Sequence, residues 1–193
     1  MNPSQNPSAL RSKRVIMDTL LQLMNQYPYP EITVKHIILE AAVSRKTFYR
    51  NFLSKDDVLN SCIDIILYNY FETLNNRDEY SFLKILDIIF AFCEKNRELL
   101  FLLRNNELLY LLLIRLNHML PEEHRKITRH IPGTDFRNNN QLLPQYVISF
   151  NIGGIWNIIA KWIENDMQDD ITTIKETLIY YLSNIKSIDL RDI

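Results

Sequence analysis

Thr33-Val34-Lys35-His36-Ile37-Ile38-Leu39-Glu40-Ala41-Ala42-Val43-Ser44-Arg45-Lys46-Thr47-Phe48-Tyr49-Arg50-Asn51-Phe52 is the stretch that decides the fold. Its first half repeats Val34, Ile37, Ile38 and Ala41 at three- and four-residue spacing, which is one face of a helix, and Thr33 stands where an N-cap oxygen is wanted. Ala41-Ala42-Val43 interrupts that pattern. Ser44 then caps a second short helix over residues 45–51. There Phe48 and Phe52 share one side, and Arg45, Lys46, Tyr49 and Arg50 occupy the others. Two short capped helices joined by a tight turn, the second basic and aromatic on its outer side, have the order and polarity of a helix-turn-helix.

The residue types on that outer side suit double-stranded DNA. A major groove about 12 Å wide admits one helix, whose N-terminal side chains reach base edges, and Ser44, Arg45, Lys46 and Thr47 occupy that end. Arg45 and Lys46 can donate to guanine O6 and N7. Tyr49 can lay its ring beside a sugar or a thymine methyl while its hydroxyl meets a phosphate, and Arg50 shares the basic outer surface. Lys35 and His36 should face the same groove or its rim. Thr33 and Lys55 stand at helix N-termini, where backbone N–H groups and the positive dipole end attract phosphate.

Working outward, residues 8–26 read as a bracing helix from the spacing of Val15, Ile16, Leu20, Leu23, Met24 and Tyr27, ended by Pro28 and Pro30. Ser54-Lys55-Asp56-Asp57 starts a long helix to residue 75 with acidic residues in its first turn. Charge divides at the same place. Residues 1–55 hold eight Lys and Arg against three Asp and Glu, a net +5, whereas residues 56–193 hold 14 against 20, a net −6. A polyanion met at one end and repelled elsewhere fits that division. We therefore expect a DNA-binding domain over residues 1–55 and a larger helical domain over residues 56–193.

The rest of the chain continues as long apolar helices at 81–94, 97–103, 107–120, 145–165 and 171–185. Pro121 is expected to stop the third of these, and residues 121–144 to form a polar connection. Among 193 residues there are three glycines, Gly133, Gly153 and Gly154. Hairpin turns are thus nearly absent, and the expected class is all-α. The 145–165 helix is apolar on nearly all sides, as if sandwiched between its own domain and something else. Gly153-Gly154 within it fits a close helix approach. With the stripe on the last helix, Tyr146, Phe150, Gly153, Gly154, Ile174, Leu178, Tyr181 and Leu182 could build a four-helix homodimer interface. Phe71, Phe90, Arg104, Tyr110, His118, Tyr146, Phe150 and Asn151 are the candidates for a pocket holding a small apolar or aromatic effector; the aromatics among them serve equally well as ordinary core.

Other classes lack their signatures. No apolar run reaches the roughly 20 residues of a membrane span, and no apolar signal core precedes the first helix, so a cytoplasmic protein is expected. Cys62 and Cys93 fall in apolar helical patterns and read as reduced structural thiols. His118, His124 and His130 are spaced too far apart around a helix for a metal site, and phosphate-binding glycine loops and hydrolase motifs are missing. Neither an enzyme nor a cofactor is indicated.

Residues 32–52 followed by Ser54-Lys55-Asp56-Asp57-Val58-Leu59 resemble the DNA-binding segment of TetR/AcrR-type transcriptional regulators. The resemblance is carried by the opening threonine, the alanine-rich turn ending in Val43-Ser44, Thr47-Phe48-Tyr49, Phe52 and Lys55, and it extends over residues 10–60. It implies an all-α homodimer with N-terminal heads on DNA and a C-terminal domain that dimerises and often encloses an effector. Ala42 stands where the family usually has a turn glycine. Tyr146 to Leu182, with Phe150, Gly153-Gly154, Trp156 and Lys161-Trp162-Ile163-Glu164-Asn165, is similar to the closing region of a Firmicutes-type branch that includes dihydroxyacetone-kinase coactivator-like members. The resemblance implies a ligand-responsive repressor on a palindromic operator; the alternative is a coactivator of the same fold that works through a protein partner.

Overall fold

In a computed structural model, residues 7–75, 82–127 and 144–185 are described. Their regular structure is wholly helical: α1 (Pro7–Met24), a 3-10 turn (Tyr29–Glu31), α2 (Val34–Glu40), α3 (Arg45–Asn51), α4 (Lys55–Asn75), α5 (Phe82–Lys95), α6 (Arg97–Asn105), α7 (Tyr110–Ile127), α8 (Pro144–Glu164) and α9 (Ile171–Ile185). The all-α class expected from the sequence is what the described residues adopt.

The apolar stripe of each helix explains its place. α1 turns Ile16, Leu20, Leu23 and Met24 inward against Ile37 of α2 and Phe48 of α3, all buried. Val58, Leu59 and Ile63 in the first turns of α4 extend the same buried surface. Further along, Leu67, Phe71 and Leu74 of α4 join Leu86 and Phe90 of α5 in a core completed by Leu100, Leu103, Leu112, Ile159, Trp162 and Ile163. α4 therefore runs from the N-terminal helices into the body, and the buried residues form one continuous cluster. Cys62 and Cys93 are buried free thiols in it, and burial pushes each up to about 12, so both stay protonated.

Three helix ends use the left-handed conformation without a glycine. After α2, Ala42 has φ 49°, with its N–H donating to the Leu39 carbonyl and that of Val43 to Ile38. After α6, Glu107 has φ 59°, and the N–H of Leu108 reaches back to Leu103 at 2.8 Å. After α8, Asp166 and Met167 have φ 53° and 55°, with Met167 N–H on the Trp162 carbonyl. Each is a Schellman-type closure that satisfies carbonyls at the helix end. A side chain in this region costs about 1–2 kcal/mol, which glycine avoids while losing some of the gain to chain entropy. Ala42→Gly is therefore expected to stabilise the fold by about 0.5–1 kcal/mol, read as a rise in Tm of a few degrees in thermal unfolding.

One expectation is corrected. α7 continues through Pro121 to Ile127 rather than stopping there. A proline's φ near −65° is itself helical, and its restriction falls on the preceding turn, so a long helix can accommodate one at the loss of a hydrogen bond. Of the expected connection, residues 128–143 lie outside the described residues, while Pro144 opens α8 at the first helical position, where its missing N–H costs nothing. Within one chain, α8 leaves one side open: Tyr146 and Phe150 are exposed, and a Cβ added at Gly153 or Gly154 would meet nothing within 4 Å.

Candidate nucleic-acid interface

α3 owes its position to Phe48 and Phe52. Phe48 is fully buried and Phe52 nearly so, their rings 6.1 Å apart, and Lys13 of α1 places its Nζ 5.4 Å over the Phe52 ring. Burying that side of a seven-residue helix forces the opposite side outward. Ser44 and Thr47 are spent on the N-terminus of the helix: the Thr47 N–H donates to Ser44 Oγ at 3.0 Å, and the two hydroxyls lie 2.8 Å apart. Asn51 Nδ2 donates to the Thr47 carbonyl at 2.7 Å, holding the last turn.

What α3 presents to solvent is cationic and aromatic. Arg45, Lys46 and Arg50 are exposed, and Tyr49 is 45% exposed, with the Arg45 guanidinium 5.5 Å from its ring centroid and Phe48 edge-on to its inner side at 5.3 Å. An arginine resting on a tyrosine one turn away holds both in a defined orientation without using up the guanidinium donors. α2 adds exposed Lys35 and His36, the His36 ring 6.4 Å from that of Tyr27. Thr33 caps α2, its Oγ1 accepting from the His36 N–H at 3.1 Å. The ten nominated residues thus sort into an outward group, Lys35, His36, Arg45, Lys46, Tyr49 and Arg50, and a supporting group, Thr33, Ser44, Thr47 and Lys55.

Lys55 differs from its expected place at a phosphate. Its Nζ donates to the carbonyls of Tyr29 at 2.7 Å, Ile32 at 2.8 Å and Pro30 at 3.3 Å, and lies 4.4 Å over the Tyr29 ring. The ammonium closes the 3-10 turn, sharing the Tyr29 carbonyl with the Ile32 N–H, so Lys55 acts first as a brace. Tyr29 completes the brace by donating its hydroxyl to Asp56 at 2.5 Å, and burial together with that carboxylate raises the phenol well above its ordinary range. Sequence reading missed the Tyr29–Asp56 contact, because it spans 27 residues and Asp56 was read only as part of the acidic start of the long helix. It also passed over Leu53, which lies 83% exposed beside the basic surface, between α3 and α4.

The nominated effector residues do not converge on one cavity. Phe71 and Phe90 are buried core, Phe90 meeting Trp162 edge-on at 5.0 Å. Arg104 spends Nη1 on the Ile163 carbonyl and the Asp166 carboxylate, both at 2.7 Å. Tyr110, His118, Tyr146, Phe150 and Asn151 are exposed. Arg115, another polar residue in an apolar helix, pairs with both oxygens of Asp64 and ties α7 to α4. A cleft of 560 Å³ lies instead between α4 and α5, lined in part by Asn69, Tyr70, Ile88, Phe92, Lys95 and Asn96, none of them nominated. Of the nominated aromatics, Phe71 and Phe90 have gone to the core, as area burial favours.

The nominated interface residues divide. Tyr146, Phe150, Gly154, Tyr181 and Leu182 lie exposed on α8 and α9, with Gly153 half-buried among them. Ile174 and Leu178 instead pack against the chain's own core. Among the described residues, no group of three or more His, Cys, Asp or Glu is placed to hold a metal ion; His130 lies outside those residues, as does the side chain of His124. No described helix is long and apolar enough to cross a membrane.

Residues 16–62 match the sequence pattern of the family described as bacterial regulatory proteins, tetR family. That stretch runs from α1 through α2 and α3 into α4 and contains all ten nominated DNA-binding positions. No curated protein sequence matches the chain. Among solved structures, the chain is similar to the fatty acid degradation regulator FadR from Bacillus halodurans, with a TM-score of 0.53 at 18% identity over 89% of this chain and 93% of that one. At that identity the likeness is one of fold. The family pattern thus falls on the helices that carry Arg45, Lys46 and Tyr49 outward, and residues 16–62 of the chain are similar to the corresponding segment of bacterial regulatory proteins of the tetR family.

Proposed function

We propose that the chain is a cytoplasmic, ligand-responsive repressor that binds a palindromic operator as a homodimer. The observation that carries this reading is the pairing of two open surfaces on one chain: the cationic, aromatic side of α3, and the apolar side of α8 and α9 bearing Tyr146, Phe150, Tyr181 and Leu182. An apolar face of this kind beside two glycines with open space above them suits a second copy of the same helices approaching closely. Two copies would present two reading helices, and a palindrome with half-sites one turn, about 34–36 Å, apart would receive them. A small apolar or aromatic effector in the body, residues 56–193, would act by changing the separation of the heads, residues 1–55, and so shifting the population that can span both half-sites.

Titration of the purified protein onto DNA upstream of its own gene, with footprinting and light scattering, tests the proposal. Protection of a two-fold symmetric site by a dimer, without another protein, is expected; protection that appears only with a second protein would favour the coactivator alternative. Affinity should fall with salt, log K against log salt having a slope of about −0.9 for each phosphate neutralised. Phe150→Glu, which would place a carboxylate in an apolar interface, is expected to yield monomers at micromolar concentration and to weaken operator binding at least about a hundredfold. A dimeric Phe150→Glu variant with normal affinity would remove α8 from the interface.

A further inference from the structure

Tyr29, in the 3-10 turn between α1 and α2, is held from two sides. On one side stand Lys55 and Asp56 at the start of α4, as described above. On the other stands Asn106, which follows α6 and is 77 residues away in sequence. Asn106 Oδ1 accepts the Tyr29 N–H at 2.9 Å, while its Nδ2 donates to the carbonyls of Leu102 at 2.9 Å and Met24, the last residue of α1, at 3.4 Å. One carboxamide therefore joins the end of α1, the 3-10 turn and α6. A carboxamide offers an acceptor and two donors on one planar group, and here all three are used; aspartate has no such donor when ionised, and an apolar residue has neither.

The opposite face of this joint reaches α8. Arg104, two residues before Asn106, holds the Ile163 carbonyl and the Asp166 carboxylate where α8 ends, and Arg97 donates to the Asp166 carbonyl at 2.7 Å. Glu107, in the left-handed conformation, closes α6 directly after Asn106, so the backbone carrying the carboxamide is itself pinned. Head, α6 and the α8–α9 corner are thus linked through the side chains of Asn106, Arg104 and Arg97.

We propose that Asn106 is a positioning residue for DNA binding: it fixes the angle of the reading head on the body and, in the homodimer, the separation of the two α3 helices. The proposal rests on the homodimer reading given above. A head held at one angle favours one half-site spacing, since each base pair added turns the second half-site by about a tenth of a helical turn. A head freed from the joint meets the correct spacing less often and a wrong one more readily.

The test is a fluorescence titration of the full-length protein on a duplex that the wild type selects from a randomised pool, and on duplexes with one base pair added or removed between the half-sites. The wild type should discriminate clearly between spacings. Asn106→Ala should lower that ratio of affinities about fivefold or more, the equivalent of one lost hydrogen bond, while keeping its affinity and salt slope on random-sequence DNA. Asn106→Asp, which retains the acceptor for Tyr29, should fall between and serves if the alanine variant folds poorly. Cys93→Ala, which removes buried atoms from the body core, should lower stability without moving the ratio. Wild-type discrimination by Asn106→Ala, or an equal loss in Cys93→Ala, would overturn the proposal. A wild type indifferent to spacing would remove the homodimer-on-palindrome reading and this inference with it.

Discussion

Arg45→Ala and Tyr49→Ala are each expected to weaken binding to the selected duplex by about 1–3 kcal/mol per protomer, and by about twice that in a complex using two copies. Both side chains lie outward on the first turns of α3, and the Arg45 guanidinium rests on the Tyr49 ring at 5.5 Å, so each variant also releases its neighbour's orientation. The losses should for that reason be non-additive: the double variant should fall short of the sum, a coupling that a double-mutant cycle measures directly. Stability should change by less than about 1 kcal/mol, because neither residue is part of the buried cluster. Normal affinity in both variants would mean that the reading surface lies elsewhere. Lys55→Ala should also weaken binding, yet through loosening of the 3-10 turn whose carbonyls it holds, and hence with a measurable drop in Tm.

Phe48→Ala, one position from Tyr49, should have the opposite profile. Phe48 is completely buried where α3 packs on α1, its ring tilted against that of Phe52 at 6.1 Å. Truncating a buried phenylalanine typically costs about 3–5 kcal/mol from lost transfer energy and the cavity left behind. That is a large fraction of the roughly 5–15 kcal/mol by which a domain is stable. Urea denaturation followed by circular dichroism should show a midpoint shifted strongly downward, with DNA binding lost only in proportion to the unfolded fraction. A Phe48→Ala variant of normal stability would contradict the packing described for α3. The contrast between adjacent positions follows from the geometry of a short helix, in which a step of one residue turns a side chain by about 100°.

The helix-turn-helix was legible because its signals are local. Caps at Thr33 and Ser44, breaks at Pro28 and Pro30, and apolar spacing at Ile37, Phe48 and Phe52 all act within a few residues, and each is found in place. At Ala42, which stands where the resembling family usually has a turn glycine, the structure supplies what the sequence left open: a left-handed alanine at φ 49°. In the body, the same reasoning located the helices but not their neighbours. Phe71, Phe90 and Phe150 look alike in sequence, yet the first two are core and the third is 80% exposed. Ile174 and Tyr181 share a stripe on α9, one turned to α5 and the core, the other to solvent.

Residue order alone determined an all-helical chain, a reading helix with its cationic side outward, and a basic end on an acidic body, since capping, periodicity and net charge need no knowledge of what lies across the fold. Tertiary structure alone decided that Lys55 braces a turn, that Arg104 grips the end of α8, and that Asn106 joins the head to the body over some 77 residues. The physical reason is range. A hydrogen bond reaches about 3 Å and has no sequence signature of its own, so a side chain's partner is settled only when packing of the apolar faces brings distant backbone within its reach.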